Sequence, residues 1–153
     1  MKLVFNLILI IVLFSFKSID REKSGIYIPN NDIHTLNTGQ NDSFIRGRQV
    51  YSDFCVTCHL PDGKGVQGIN PPLDGSNWLT EKRKESIHAV KFGLQGLIEV
   101  NGEKYNGMMT PLGLSDQEVA DVMNYIMNSW SNSCEKPVTL EEVAAVKKFP
   151  LTK

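Results

Sequence analysis

Cys55-Val56-Thr57-Cys58-His59 decides how the rest of this chain must fold. Two thiols about one helical turn apart sit on one side of a helix, and a histidine follows the second directly. That spacing attaches a c-type haem. Each thiol adds across one vinyl group, and the adjacent imidazole is held against one porphyrin face as an iron ligand. A thioredoxin-like dithiol shares Cys-x-x-Cys but belongs near a β-α-β pattern and gains nothing from the histidine. A zinc site needs a second ligand pair, and the only other cysteine is Cys134. The motif is read as the anchorage of one covalently bound haem c.

Working outward, 153 residues suit one domain with tails. Three cysteines are too few for a disulfide framework, and Cys134 is expected to be a free thiol. Met1-Lys2 followed by an apolar run from Leu3 to Phe14, broken only by Asn6, has the form of a secretory signal and is short for a membrane span. Residues 1–18 are therefore expected to be a signal peptide or an N-terminal anchor, placing the protein in the periplasm or facing it. A formal net charge of −1 points to neither nucleic acid nor an anionic membrane as partner.

Residues 19–42 are polar, rich in Asn, Asp and Gly, and read as a flexible tether. Ser43 is the expected N-cap of a helix through Phe54. From His59 to Thr80 the chain turns to loop, with Pro61, Gly63, Gly65, Gly68, Pro71, Pro72 and Gly75. So long a loop suits a compact domain only if it wraps something other than polypeptide. Glu81–Phe92 reads as a second helix. Asn101-Gly102 between Leu97–Val100 and Glu103–Tyr105 predicts a hairpin. Ser115-Asp-Gln-Glu118 is a capping box opening a third helix, along which Val119, Val122, Met123, Ile126 and Trp130 recur. Thr139-Leu-Glu-Glu142 opens a short terminal helix. The expected organisation is a mostly helical domain over 43–133 with a C-terminal extension over 134–153.

The iron needs a second axial ligand, and the candidates are Met108, Met109, His34 and His88. Gly107 and Pro111 flank the methionine pair as a strap would. A thioether there raises the reduction potential, and filling both axial positions favours electron transfer over substrate binding. His88 is expected to be a packed mid-helix residue and His34 a solvated one. Chemistry alone does not separate Met108 from Met109.

From Phe44 to about Trp130 the chain resembles class I bacterial cytochromes c. Gly47, Tyr51 and Cys55 are similar to that family's N-terminal helix, Asn70-Pro-Pro-Leu73 to its proline loop, and Tyr105-Asn-Gly-Met-Met-Thr-Pro111 with Leu114-Ser-Asp to its methionine strap. The resemblance implies an all-α cytochrome c fold: three main helices around one haem, with long loops, a small β-hairpin insert and a short C-terminal helix. It implies thioethers at Cys55 and Cys58 and axial ligands His59 and Met109, with Met108 as the alternative because Thr110 stands where a proline usually follows the ligand. By the same resemblance the Pro71 carbonyl accepts from His59, with Pro72 as the alternative, Tyr125 packs on Gly47, and Trp78 lies near a haem propionate or simply packs the pocket. The function implied is single-electron transfer between periplasmic or membrane redox proteins, by transient docking of a monomer that transforms no substrate. An electron-accepting subunit of a larger oxidoreductase is the alternative, and a haem enzyme with an open iron site is disfavoured by the methionine.

Overall fold

Helix α1 runs Thr38–Phe54 and so begins before the expected cap at Ser43. The computed structural model describes residues 38–150; the signal or anchor segment, His34 and the tether before Thr38 lie outside the described residues. Ser43 does not cap, because it lies inside α1; its hydroxyl donates to Asp121 at 2.6 Å and accepts from Asn124 Nδ2 at 3.0 Å across a helix crossing. The helix crossed is α5, Asp116–Ile126, opened by the Ser115–Glu118 capping box. The two backbones touch at Gly47, where a Cβ would lie 1.9 Å from the Asp121 carbonyl oxygen and 2.9 Å from Tyr125 Cβ. Asp121 is buried beside this contact and accepts from Ser43, from Arg46 Nε and Nη2 (2.7 and 2.9 Å) and from Gln117 (3.0 Å). Burial alone would raise the Asp121 pKa. The hydrogen bonds from Arg46, Ser43 and Gln117, with the Arg46 charge, outweigh it and hold the carboxyl below the ordinary carboxylate value.

Helix α5 is shorter than its apolar periodicity suggests. It ends at Ile126, and Asn128, Ser129 and Asn132 side chains donate to the carbonyls of Asn124, Tyr125 and Ile126 (3.0, 2.6 and 2.9 Å), satisfying the last turn. Trp130 then lies outside the helix at φ 57°, its indole N–H donating to the Pro61 carbonyl at 3.1 Å.

The short helix α2, Val56–His59, continues from α1 through Cys55. The expected second helix is two: α3, Asn77–Glu81, and α4, Arg83–Phe92, broken at Lys82. Ser86 Oγ, at 3.0 Å from both the Trp78 and Lys82 carbonyls, ties them together. The hairpin is longer than the turn signal alone indicated: β1, Leu94–Val100, pairs antiparallel with β2, Glu103–Met109, in register from Leu94↔Met109 to Val100↔Glu103. Gly96 faces Gly107, and glycine's poor strand propensity hid this extension. Trp78 anchors the hairpin by donating its indole N–H to the Glu99 carbonyl at 2.7 Å, and Asn77 and Asn101 exchange backbone-to-side-chain bonds beside it.

The C-terminal extension packs into the main core through Val138, Val143 and Val146. Its helix α6, Leu140–Ala145, is capped by Thr139, while the Glu142 carboxylate reaches Arg83 on α4 with two bonds of 2.7 and 2.9 Å. The chain is latched again at Phe149, whose backbone N–H donates to His88 Nε2 at 3.0 Å. His88 is buried between the rings of Phe92 and Phe149, and Lys84 and Lys91 lie over those two rings. Acceptance at Nε2 requires a neutral ring protonated on Nδ1, and that atom has no partner among the described residues.

Two outcomes test this packing. Gly47→Ala should lower stability by about 1–3 kcal/mol or more, because backbone rather than a yielding side chain blocks the new methyl; denaturant midpoints measure it. Burial, with the nearby Lys148 charge, lowers the His88 pKa. The latch is therefore complete above the free histidine value of about 6.5 and weakens as pH falls below it toward the lowered value. Hydrogen exchange at the Phe149 amide, corrected for intrinsic rate, should lose protection as pH falls below about 6.5.

Candidate haem-binding site

The helical turn at the end of α1 carries the cysteines. Cys55 N–H bonds to the Tyr51 carbonyl at 2.9 Å, and His59 N–H to the Cys55 carbonyl at 2.9 Å, so both thiols and the imidazole ride one short helical stretch. Leu60, at φ 64°, stops it, and Tyr51 Oη takes the Leu60 carbonyl at 2.6 Å. Cys55 is buried and Cys58 exposed. Burial, then the neighbouring Cys58, pushes the Cys55 thiol up to about 11. That is the reverse of what a dithiol oxidoreductase needs in its nucleophile.

His59 Nδ1 lies 3.0 Å from the Pro71 carbonyl. A carbonyl only accepts, so Nδ1 carries the proton and Nε2 keeps its lone pair. Burial lowers the His59 pKa more than the Pro71 bond raises it, which favours this neutral, ligating form. The loop reaches this geometry because Gly65 has no side chain: a Cβ there would meet the Asn70 and Pro71 oxygens at 2.4 and 2.6 Å. Val66 bridges to Asn70, and Gly63 accepts from the amides of Leu73 and Asp74, closing the loop on itself.

Opposite stands the hairpin. Alternation along β2 places Tyr105, Gly107 and Met109 on one face, and Leu94, Gly96, Ile98 and Val100 share that face on β1. Met108 points to the other side and is 69% exposed. Met109 is partly buried and packs against the main core. Two hollows are both lined by His59, Pro71, Leu94, Ile98 and Met109. Cys55, Val90 and Met123 also line the first, and Cys58, Ile69, Tyr105 and Met108 the second. Trp78 lines the first with its ring. Its indole N–H donates to the Glu99 carbonyl and so ties the ring to the hairpin.

These residues fit a haem. The thiols are correctly spaced, the His59 Nε2 lone pair meets no protein donor among the described residues, and a thioether enters the same apolar space from another element. Among the described residues no cluster of three or more His, Cys, Asp or Glu offers a metal site. Sequence reasoning missed Tyr105 and Ile98 as walls. The period-two pattern Leu94-x-Gly96-x-Ile98-x-Val100 against Tyr105-x-Gly107-x-Met109 was the available signal.

Comparison with known proteins agrees. The sequence model described as cytochrome c matches residues 44–130. Cytochrome c-552 of Thermus thermophilus is 38% identical over 115 residues, covering 69% of this chain and 87% of that protein. The gluconate 2-dehydrogenase cytochrome c subunit of Pantoea cypripedii is 34% identical, over 71% of this chain and 25% of that protein. The cytochrome c subunit of the quinone alcohol dehydrogenase of Gluconobacter oxydans is 30% identical, over 66% and 22%. With a haem motif facing a methionine across an apolar pocket and a family match over most of the described residues, the chain belongs to the cytochrome c family, electron-transfer proteins that bind one covalently attached haem c.

Proposed function

We propose that this protein is an exported mono-haem electron carrier, with thioether bonds at Cys55 and Cys58 and axial ligands His59 and Met109. The observation that carries the reading is the pairing of a free His59 Nε2 with Met109 on the inward face of β2, both lining the same hollows. When bound, the haem supplies a single reversible electron through its iron. The chain's own residues do the rest. Pro71 fixes the tautomer and plane of His59, the core packing of Met109 favours a filled second axial position, and the apolar walls exclude water, which favours the less charged, reduced centre.

The exposed end of the site is apolar. Cys58 is exposed, and Ile69 (63%) and Met108 (69%) bracket the second hollow. We place docking with redox partners here, as brief encounters of the small kind common to electron transfer. The dehydrogenase subunits among the relatives favour a second reading, an electron-accepting part of a larger enzyme. Co-purification with a dehydrogenase separates the two. Export rests on the apolar run at residues 3–14. Among the described residues no helix is long and apolar enough to cross a membrane.

Met109→Ala should abolish the methionine-to-iron charge-transfer band of the oxidised protein and lower the reduction potential, whereas Met108→Ala should leave both in place; the opposite result would exchange the two assignments. Electron self-exchange between oxidised and reduced copies, read from NMR line widths, should respond weakly to ionic strength. Met108→Glu should slow it severalfold with the spectrum unchanged, because a charge would then have to be desolvated at the contact.

A further inference from the structure

The methionines of the described residues divide by exposure. Met123 and Met127 are 1% and 5% exposed, and Met127 Sδ accepts from Arg83 Nη1 at 3.6 Å. Met109 is partly buried against the core. Only Met108 is exposed. It borders two hollows, the second one shared with Cys58 and Ile69, and another shared with Thr110, Lys148 and Phe149. A thioether so placed is open to small oxidants from solvent, and oxidation turns a flexible apolar side chain into a polar one. The surroundings magnify that change. No residue lining the second hollow is Asp, Glu, Lys or Arg. A contact made there depends on shedding water from apolar surface, where one strongly hydrated S–O group is costly to bury.

We propose that Met108 is a site of reversible oxidation that weakens docking at this edge without disturbing the iron ligands. The oxidant class is a hydroperoxide, of which hydrogen peroxide is the simplest. The Met108 sulfur attacks one peroxide oxygen, and an S–O bond forms as the O–O bond breaks. Sulfur loses two electrons and the peroxide gains them. The leaving hydroxide takes the proton of the transferred oxygen and departs as water. The product is the sulfoxide, which a methionine sulfoxide reductase returns to the thioether with a dithiol as reductant. Strand parity keeps the two methionines apart in effect, because adjacent side chains on β2 leave on opposite faces. The inference rests on the docking patch at Cys58, Ile69 and Met108 and on Met109 as the ligand.

The test treats the oxidised, haem-loaded protein with limiting hydrogen peroxide in a Cys134→Ser background, which removes the free thiol that would also consume the oxidant. Fragment mass spectra locate the added oxygen, absorbance follows the methionine-to-iron band, and NMR line widths give electron self-exchange. Met108 should take the first oxygen, the band should persist, and self-exchange should slow severalfold and recover after reductase treatment. Self-exchange of Met108→Leu, whatever its starting value, should not change on the same treatment. A first oxygen on Met109, Met123 or Met127 would overturn the proposal. So would loss of the band on Met108 oxidation, which would move the ligand to Met108. Unchanged self-exchange with Met108 oxidised would also overturn it, and Met108→Glu then separates the causes. If Met108→Glu still slows self-exchange, the docking patch stands and only the oxidation switch falls; if it does not, the patch falls with it.

Discussion

The absence of one side chain at Gly47 sets the geometry on which the rest of the site depends. Because α1 and α5 touch backbone to backbone there, the axis of α1 is fixed relative to the core. Its C-terminal end, with Cys55 and His59, is thereby delivered to one wall of the pocket, while Met123 and Ile126 of α5 line the same space. The polar network around Asp121 locks the crossing against sliding. Ser43, Arg46 and Gln117 all converge on that carboxylate, which is itself sheltered from water. A buried carboxylate without them would be costly; with them it selects one register.

Much of this was legible in the sequence, for identifiable reasons. The haem motif, the Ser115 cap and the Asn101-Gly102 turn each impose a local geometry that tertiary context has little freedom to change, and each is where it was expected. What the sequence misled on are places where a side chain has two uses. Ser43 caps nothing, because the helix already runs from Thr38 and its hydroxyl joins Asp121 and Asn124 instead. Trp130 continues the helical period but not the helix, because polar side chains have already closed the last turn and its indole is needed at Pro61. Glycines at 96 and 107 masked strand residues whose alternation was otherwise clear.

Parity along β2 bears directly on the methionines. As members of a loop, Met108 and Met109 are chemically equivalent, and spacing from the haem motif does not divide them. On a strand their side chains leave on opposite faces. The register that pairs Leu94 with Met109 puts Met109 on the face of Ile98 and Tyr105 and turns Met108 outward. One hairpin therefore gives adjacent methionines different surroundings: Met109 is partly buried against the core and Met108 is exposed.

The same hairpin links pocket and scaffold. It has little core of its own, and an isolated two-stranded ribbon is marginal in water. Its fixed points are the Trp78 indole at Glu99, the reciprocal Asn77–Asn101 bonds at its tip, and Gly93 at its root, where a Cβ would meet the Met109 carbonyl at 2.6 Å. Each fixed point lies on α3, at the end of α4 or in the segment joining them to the strands, and α4 is itself held to the C-terminal helix through Arg83 and Glu142. The position of Met109 thus depends on contacts reaching to the end of the described chain. That explains why an extension remote from the haem motif in sequence is packed as firmly as the core that surrounds the pocket.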